Sequence, residues 1–169
     1  MDDRVKPATW GERKASIAFG KLPAFTVNGT EVSESNPILS LIGRKYDLHP
    51  NDVIEAARHE GLMDAMEDVR AHLFPTVKVG VDEEEGRRAK YIEGPLQTSL
   101  AALKAPVNGT YVGGDTLAVA HLKLFVFLKF FRAGVYDHMP KTVLDKYPKL
   151  VAHFAAVSAH TAVTSWYAK

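Results

Sequence analysis

Two hydrophobic periods divide this chain, and the place where one gives way to the other constrains its fold more than any other feature. Ala24 to Val27 (AFTV) and Glu31-Val32-Ser33 have strand-forming composition and are separated by Asn28-Gly29. Asn-Gly tolerates the positive φ that a type I′ turn needs at both central positions, so the pair predicts a tight antiparallel hairpin. A helix is expected next, capped by Ser35, with Pro37 in its first turn, where a missing N–H is no loss. Ile38, Leu39, Leu41 and Ile42 supply its apolar face, and Arg44 and Lys45 suit the negative end of its dipole. Tyr46 to Asp52 (YDLHPND) is polar, broken by Pro50, and reads as a linker. Beyond it the pattern is helical to Lys169. The expected fold is α+β and mostly helical: a small α/β unit at 1–45, a linker at 46–52 and an all-helical domain at 53–169.

The helical part has its own punctuation. Asn51 or Asp52 can cap a helix running to about Leu73, with Leu62, Met66, Val69 and Leu73 on one face and Asp64, Glu67 and Asp68 on another. Asp82 to Glu85 followed by Arg87-Arg88 is an acidic helix start, and Pro95 kinks or restarts that helix before Leu96, Leu100 and Leu103. Leu117 to Phe131 (LAVAHLKLFVFLKFF) is the most apolar stretch. It is shorter than the ~20 residues a membrane span needs and is interrupted by Lys123 and Lys129, so a buried central helix is expected.

Composition excludes several functions. A chain of 169 residues, 46% hydrophobic and 24% charged, is ordinary for a globular protein. A net charge of +1 gives no reason to expect nucleic acid or an anionic membrane as partner. With no cysteine there is no disulfide, no thiolate metal site and no cysteine nucleophile within these residues. His59-Glu60 begins like a zinc-protease HExxH, but Met63 holds the second histidine position. The seven histidines show no other metal spacing and read as surface imidazoles; no metal is expected. Without a basic-then-apolar leader the expected location is cytoplasmic, and Asn28-Gly29-Thr30 and Asn108-Gly109-Thr110 read as turns rather than glycosylation sites.

The chemistry concentrates where the second strand meets the helix. Glu34 and Ser35 stand at outward-pointing backbone amides, a setting for a carboxylate or small anion. Ser35 can donate to it, and Glu34 can accept from an ammonium. Opposite, Lys21 precedes Leu22-Pro23, where a cis proline would expose the Leu22 backbone to an extended peptide. The same residues also describe a capped helix after a hairpin with nothing bound.

FGKLPAFTVNG followed by ESNPIL resembles the glutathione-binding half of the cytosolic glutathione transferases, most closely the sigma class that includes the haematopoietic prostaglandin D synthases. That family carries a Q/K-[LIV]-P segment with the cis proline and a [QE]-S-x-A-I segment that grips the γ-glutamyl end of glutathione. Here they read Lys21-Leu22-Pro23 and Glu34-Ser35-Asn36-Pro37-Ile38, with Pro37 in place of alanine. The resemblance implies that residues 1–45 are part of a thioredoxin-like domain, in which Asp2 to Lys6 form a strand and Trp10 to Ile17 a helix. It places Trp10 and Lys14 against the glycyl end of glutathione; the other reading is Trp10 as a packing residue and Lys14 as a solvated one. Asp68, or next to it Glu67, matches an aspartate that reaches across a homodimer to the γ-glutamyl ammonium, though a solvated acidic face is the other reading.

The implied activity is conjugation of glutathione to hydrophobic electrophiles, as in detoxification, or isomerisation of lipid peroxides, with glutathione as substrate. The alternative is a non-catalytic ligand-binding or assembly subunit. In the family a tyrosine or serine that activates the thiol lies on a strand before the region resembled here. No residue of this chain matches it, since the tyrosines at 46, 91, 111, 136, 147 and 167 all follow the hairpin. No catalytic residue is therefore assigned, and the strands at Arg4-Val5 and Ala24 to Val27 are expected to lack the strand between them. The family also starts its central helix with a capping pair in G-D-x-L-[ST]-x-x-D. Ala118 and His121 replace both members, leaving Asp115 or Thr116 to cap or the helix start weaker. Thr161 replaces the usual proline of the closing helix.

Overall fold

The computed structural model describes residues 5–77 and 80–169. A single turn at Pro7–Thr9 leads into α1 (Trp10–Lys14), and a turn at Ala18–Gly20 leads to β1 (Ala24–Val27) and β2 (Thr30–Ser33). Then follow α2 (Ser35–Lys45), α3 (Val53–Leu73), α4 (Val81–Glu93), α5 (Pro95–Lys104), α6 (Val119–Arg132), α7 (Pro148–Ala159) and α8 (Thr161–Tyr167). The hairpin forms as its turn residues demand. Asn28 and Gly29 have φ of 51° and 78°, and Ala24 pairs with Ser33, Phe25 with Val32, Thr26 with Glu31 and Val27 with Thr30. Among the described residues the sheet has these two strands alone. Most of the strand expected at Asp2 to Lys6 lies outside the described residues, and Val5 and Lys6 are not in a strand. The first helix stops at Lys14 rather than Ile17.

Helices α3 to α8 build an all-α part around α6. Ala120, Leu124 and Leu128 of α6 are fully buried against Met63 and Met66 of α3, Leu96 and Leu100 of α5 and Leu150 of α7. Their recurrence at three and four residues turns one stripe of each helix inward. Asp52 caps α3, its Oδ1 accepting from the Ile54 and Glu55 amides at 3.0 and 2.9 Å. Gly94 ends α4 and Pro95 opens α5, as a residue with no N–H can at a first turn.

The small α/β part is locked on by a close approach. A β-carbon on Gly43 of α2 would lie 2.9 Å from a Val119 methyl, and the Val119 amide donates to the Leu48 carbonyl at 2.8 Å. Only glycine lets α2 lie this close to the start of α6.

The α6 start corrects one expectation. Neither Asp115 nor Thr116 caps it, since the Asp115 carboxylate instead accepts from the Thr110 amide. His121 turns back and its Nδ1 accepts from the Ala118 amide at 2.9 Å, while its Nε2 donates to the Val112 carbonyl at 3.0 Å. A neutral imidazole does here what a carboxylate would do in a capping box. At α8, which begins at Thr161, His160 accepts from the Ala162 amide through Nδ1 at 3.3 Å.

Candidate functional site

The site at the end of the hairpin is assembled by backbone conformation. Phe19 and Gly20 both have positive φ, at 59° and 57°, and turn the chain so that Lys21 emerges extended. The Leu22-Pro23 bond is cis and delivers the chain into β1. Glu31 ties this loop to the hairpin, accepting from the Ala18 amide at 3.0 Å. Across the gap Glu34 has φ 72° and ψ 138°, so the chain turns sharply between β2 and α2.

Ser35 is not the cap expected of it. It is the first residue of α2, and Glu34 holds the cap position with no side-chain capping bond. The amides of Ser35 and Asn36 have no partner among the described residues, as is usual for the first amides of a helix, and Pro37 has none to satisfy. Ser35 and the two free amides thus stand together at the positive end of the helix dipole, a better anion site than a satisfied cap would be.

Lys21 Nζ lies 3.5 Å from Glu34 Oε1, with the two side chains 68% and 44% exposed. The structure thus brings Lys21 against Glu34, and with them their chain neighbours Leu22, Pro23 and Ser35. Lys14 lies beside the turn at Gly20, since a β-carbon there would meet its Cε at 3.2 Å. Trp10 is half-buried on α1. Asp68 stands apart: it is exposed on α3, and its carboxylate has no hydrogen bond or ion pair among the described residues. Glu67, its neighbour, instead faces inward to Lys123 of α6 at 2.6 Å.

Two further features went unread in the sequence. One is an apolar cleft of about 550 Å³ between α2 and α6, walled by Leu39, Leu122, Val126, Phe127 and Phe130, with Lys123 and Arg70 at its rim. The other is a set of buried histidines, which corrects the expectation of surface imidazoles: His49, His59, His121 and His153 are all buried. His121 sits among three rings, with the Tyr111, His59 and His153 centroids 5.0, 4.9 and 5.8 Å away. Burial first, then the nearby His59 and His153, push His121 down to about 3. Burial also lowers His59, helped by His49, and lowers His153. The missed signal was the helical phase of these residues, since His59, Met63 and Met66 share the inward face of α3. Among the described residues no three His, Asp or Glu side chains converge as a metal-ligand set, and no helix is long and apolar enough to cross a membrane.

Comparison with known proteins bears on the family and the fold. Residues 67–169 match the family model "Glutathione S-transferase, C-terminal domain". Glutathione S-transferase P of Pongo abelii is 28% identical over 161 residues, covering 94% of this chain and 74% of the relative. Hematopoietic prostaglandin D synthase of Homo sapiens is 24% identical over 173 residues, covering 98% and 80%. The fold matches that of the Pi-class glutathione S-transferase of Onchocerca volvulus with a TM-score of 0.82 at 20% identity, over 99% of this chain and 79% of that one. A small α/β part followed by an all-helical domain, with its C-terminal 103 residues inside the family's own pattern, has one reading: the chain belongs to the cytosolic glutathione S-transferase family.

Proposed function

We propose that this protein binds glutathione in the groove between Lys21-Leu22-Pro23 and Glu34-Ser35. The observation that carries the reading is the free N-terminus of α2: the Ser35 hydroxyl and two unpartnered amides can hold a carboxylate, and Glu34 beside them can take an ammonium. The γ-glutamyl end of glutathione presents that pair on one carbon. The Leu22 backbone would hold the middle of the peptide, and Trp10 and Lys14 its glycyl end. Asp68, exposed on α3, would complete the groove of a second copy in a homodimer. The apolar cleft between α2 and α6 suits a hydrophobic electrophile, in line with a sigma-like transferase or isomerase in the cytoplasm. Equilibrium dialysis against millimolar glutathione tests the reading, and absence of binding removes it.

A second reading, a glutathione-holding subunit without catalysis, is favoured by where the tyrosines go. Tyr91 donates to the Val69 carbonyl at 3.1 Å and Tyr147 to Gln97 Oε1 at 2.7 Å. Tyr111 stacks on His121, Tyr136 packs near Phe131, Tyr167 lies under Lys129, and Tyr46 follows the far end of α2. None is placed to lower the pKa of a thiol in the groove, which transferase chemistry requires.

A further inference from the structure

Lys123 lies mid-way along α6, its side chain 12% exposed. Its ammonium donates to Glu67 Oε1 at 2.6 Å and the Met63 carbonyl at 3.1 Å on α3, and to the Asn36 side-chain oxygen on α2. Asn36 in turn donates through Nδ2 to Asp64 Oδ1 at 2.6 Å. An ammonium has three N–H donors, and each has a taker here.

Stability alone does not call for this arrangement. Removing a lysine from water is expensive, and an apolar side chain of similar volume in such a place is often neutral or stabilising. A methionine would fit beside Phe127 and Val126. It could not hold Asn36, and Asn36 is the residue after Ser35. The far end of α2 is fastened by the Gly43–Val119 approach and the Leu48 carbonyl. Its near end, which carries the free amides, is fastened by Asn36 through Lys123 and Asp64.

We propose that Lys123 is a positioning residue for the groove: acting through Asn36, it clamps the N-terminus of α2 to α3 and α6 and so sets where Ser35 points. The proposal rests on the glutathione reading for its function, and on the clasp geometry for its structure. Lys123→Met removes the charge at similar length. Glutathione affinity should fall at least tenfold in the folded protein, and Asn36→Ala, which keeps Lys123 and its bonds to Glu67 and Met63, should reproduce that loss. In a Ser35→Ala background Lys123→Met should cost little more, because both changes act on one contact. A general loss of stability would not show that non-additivity, and full additivity overturns the positioning role. Amide NMR shifts of Glu34, Ser35, residue 36 and Ile38 without ligand provide the second readout. Movement of these amides in Lys123→Met, with α7 unchanged, supports the clamp, and unchanged α2 amides in that variant overturn it whatever happens to affinity. If the unmodified protein binds no glutathione while these amides move, the glutathione reading fails and the clamp stands.

Discussion

Single residues at the proposed groove differ in what they contribute, and exposure decides the order. The Lys21–Glu34 pair is open to water, where such pairs are worth little, so its presence does not stabilise the loop appreciably. Ser35 offers a hydroxyl on a helix N-terminus, and a hydrogen bond to a charged group is worth about 1.5–3 kcal/mol. Ser35→Ala should therefore weaken glutathione binding by about tenfold or more, read by calorimetry. Lys21→Ala should weaken it less, because its loss also frees Glu34 for the ligand's ammonium; an equal or larger effect would reverse the proposed roles. Away from the groove, Asp52 caps α3 through two amides, so Asp52→Ala should cost about 0.5–2 kcal/mol in urea unfolding.

Helices and loops bring the histidines together, and that cluster should make stability depend on pH. His59 comes from α3, His121 from α6 and His153 from α7, with Tyr111 from the loop before α6. Above pH 6.5 these imidazoles are neutral in both folded and unfolded chains, and stability is fully present. As pH falls below 6.5 the unfolded chain takes up protons that folded His121, held down to about 3, refuses. Stability then falls by about 1.4 kcal/mol per pH unit for this group, continuing until the folded imidazole also protonates. His59 and His153 are shifted in the same direction and add to the slope. Urea midpoints should thus drop clearly between pH 7.5 and 5.5, and a flat profile would contradict the burial of the cluster. At the contact of α2 with α6, Gly43→Ala would force the Val119 methyls aside, and overpacking of this kind costs about 1–3 kcal/mol in the same measurement.

The whole molecule raises the questions of partner and chemistry. Asp68 is exposed on α3, and the role proposed for it belongs to the groove of a second copy in an isologous pair. Light scattering after size exclusion at micromolar concentration should give twice the chain mass, and a strict monomer would remove both the dimer and the role of Asp68. With all six tyrosines engaged or remote from the groove, bound glutathione should keep a solution-like thiol pKa, about that of an ordinary thiol near 8.5. Titrating thiolate absorbance and assaying conjugation of a chlorinated nitrobenzene check this. Turnover by the 169-residue chain would show that another group activates the thiol.

Local signals were legible because local physics determines them. Asn28-Gly29 specifies its turn, Asp52 its cap, Pro95 its helix start, and the spacing of Leu62, Met66, Val69 and Leu73 its inward face, each within a few residues of chain. The motif around Leu22-Pro23 and Glu34-Ser35 was legible for the same reason, as a short segment of defined backbone. The burial of the four histidines was not, because imidazole chemistry suits surface and core equally, and only the packing of α3, α6, α7 and the segment before α3 chooses between them. Ser35 was misplaced by one residue because cap and first helical position look alike in sequence; the positive φ of Glu34 decided it. Lys123 stood in plain view as an interruption of an apolar run. Its partners, Asn36 at 87 residues' distance and Glu67 at 56, become neighbours only when α2 and α3 pack on α6, and no spacing along the chain encodes that meeting.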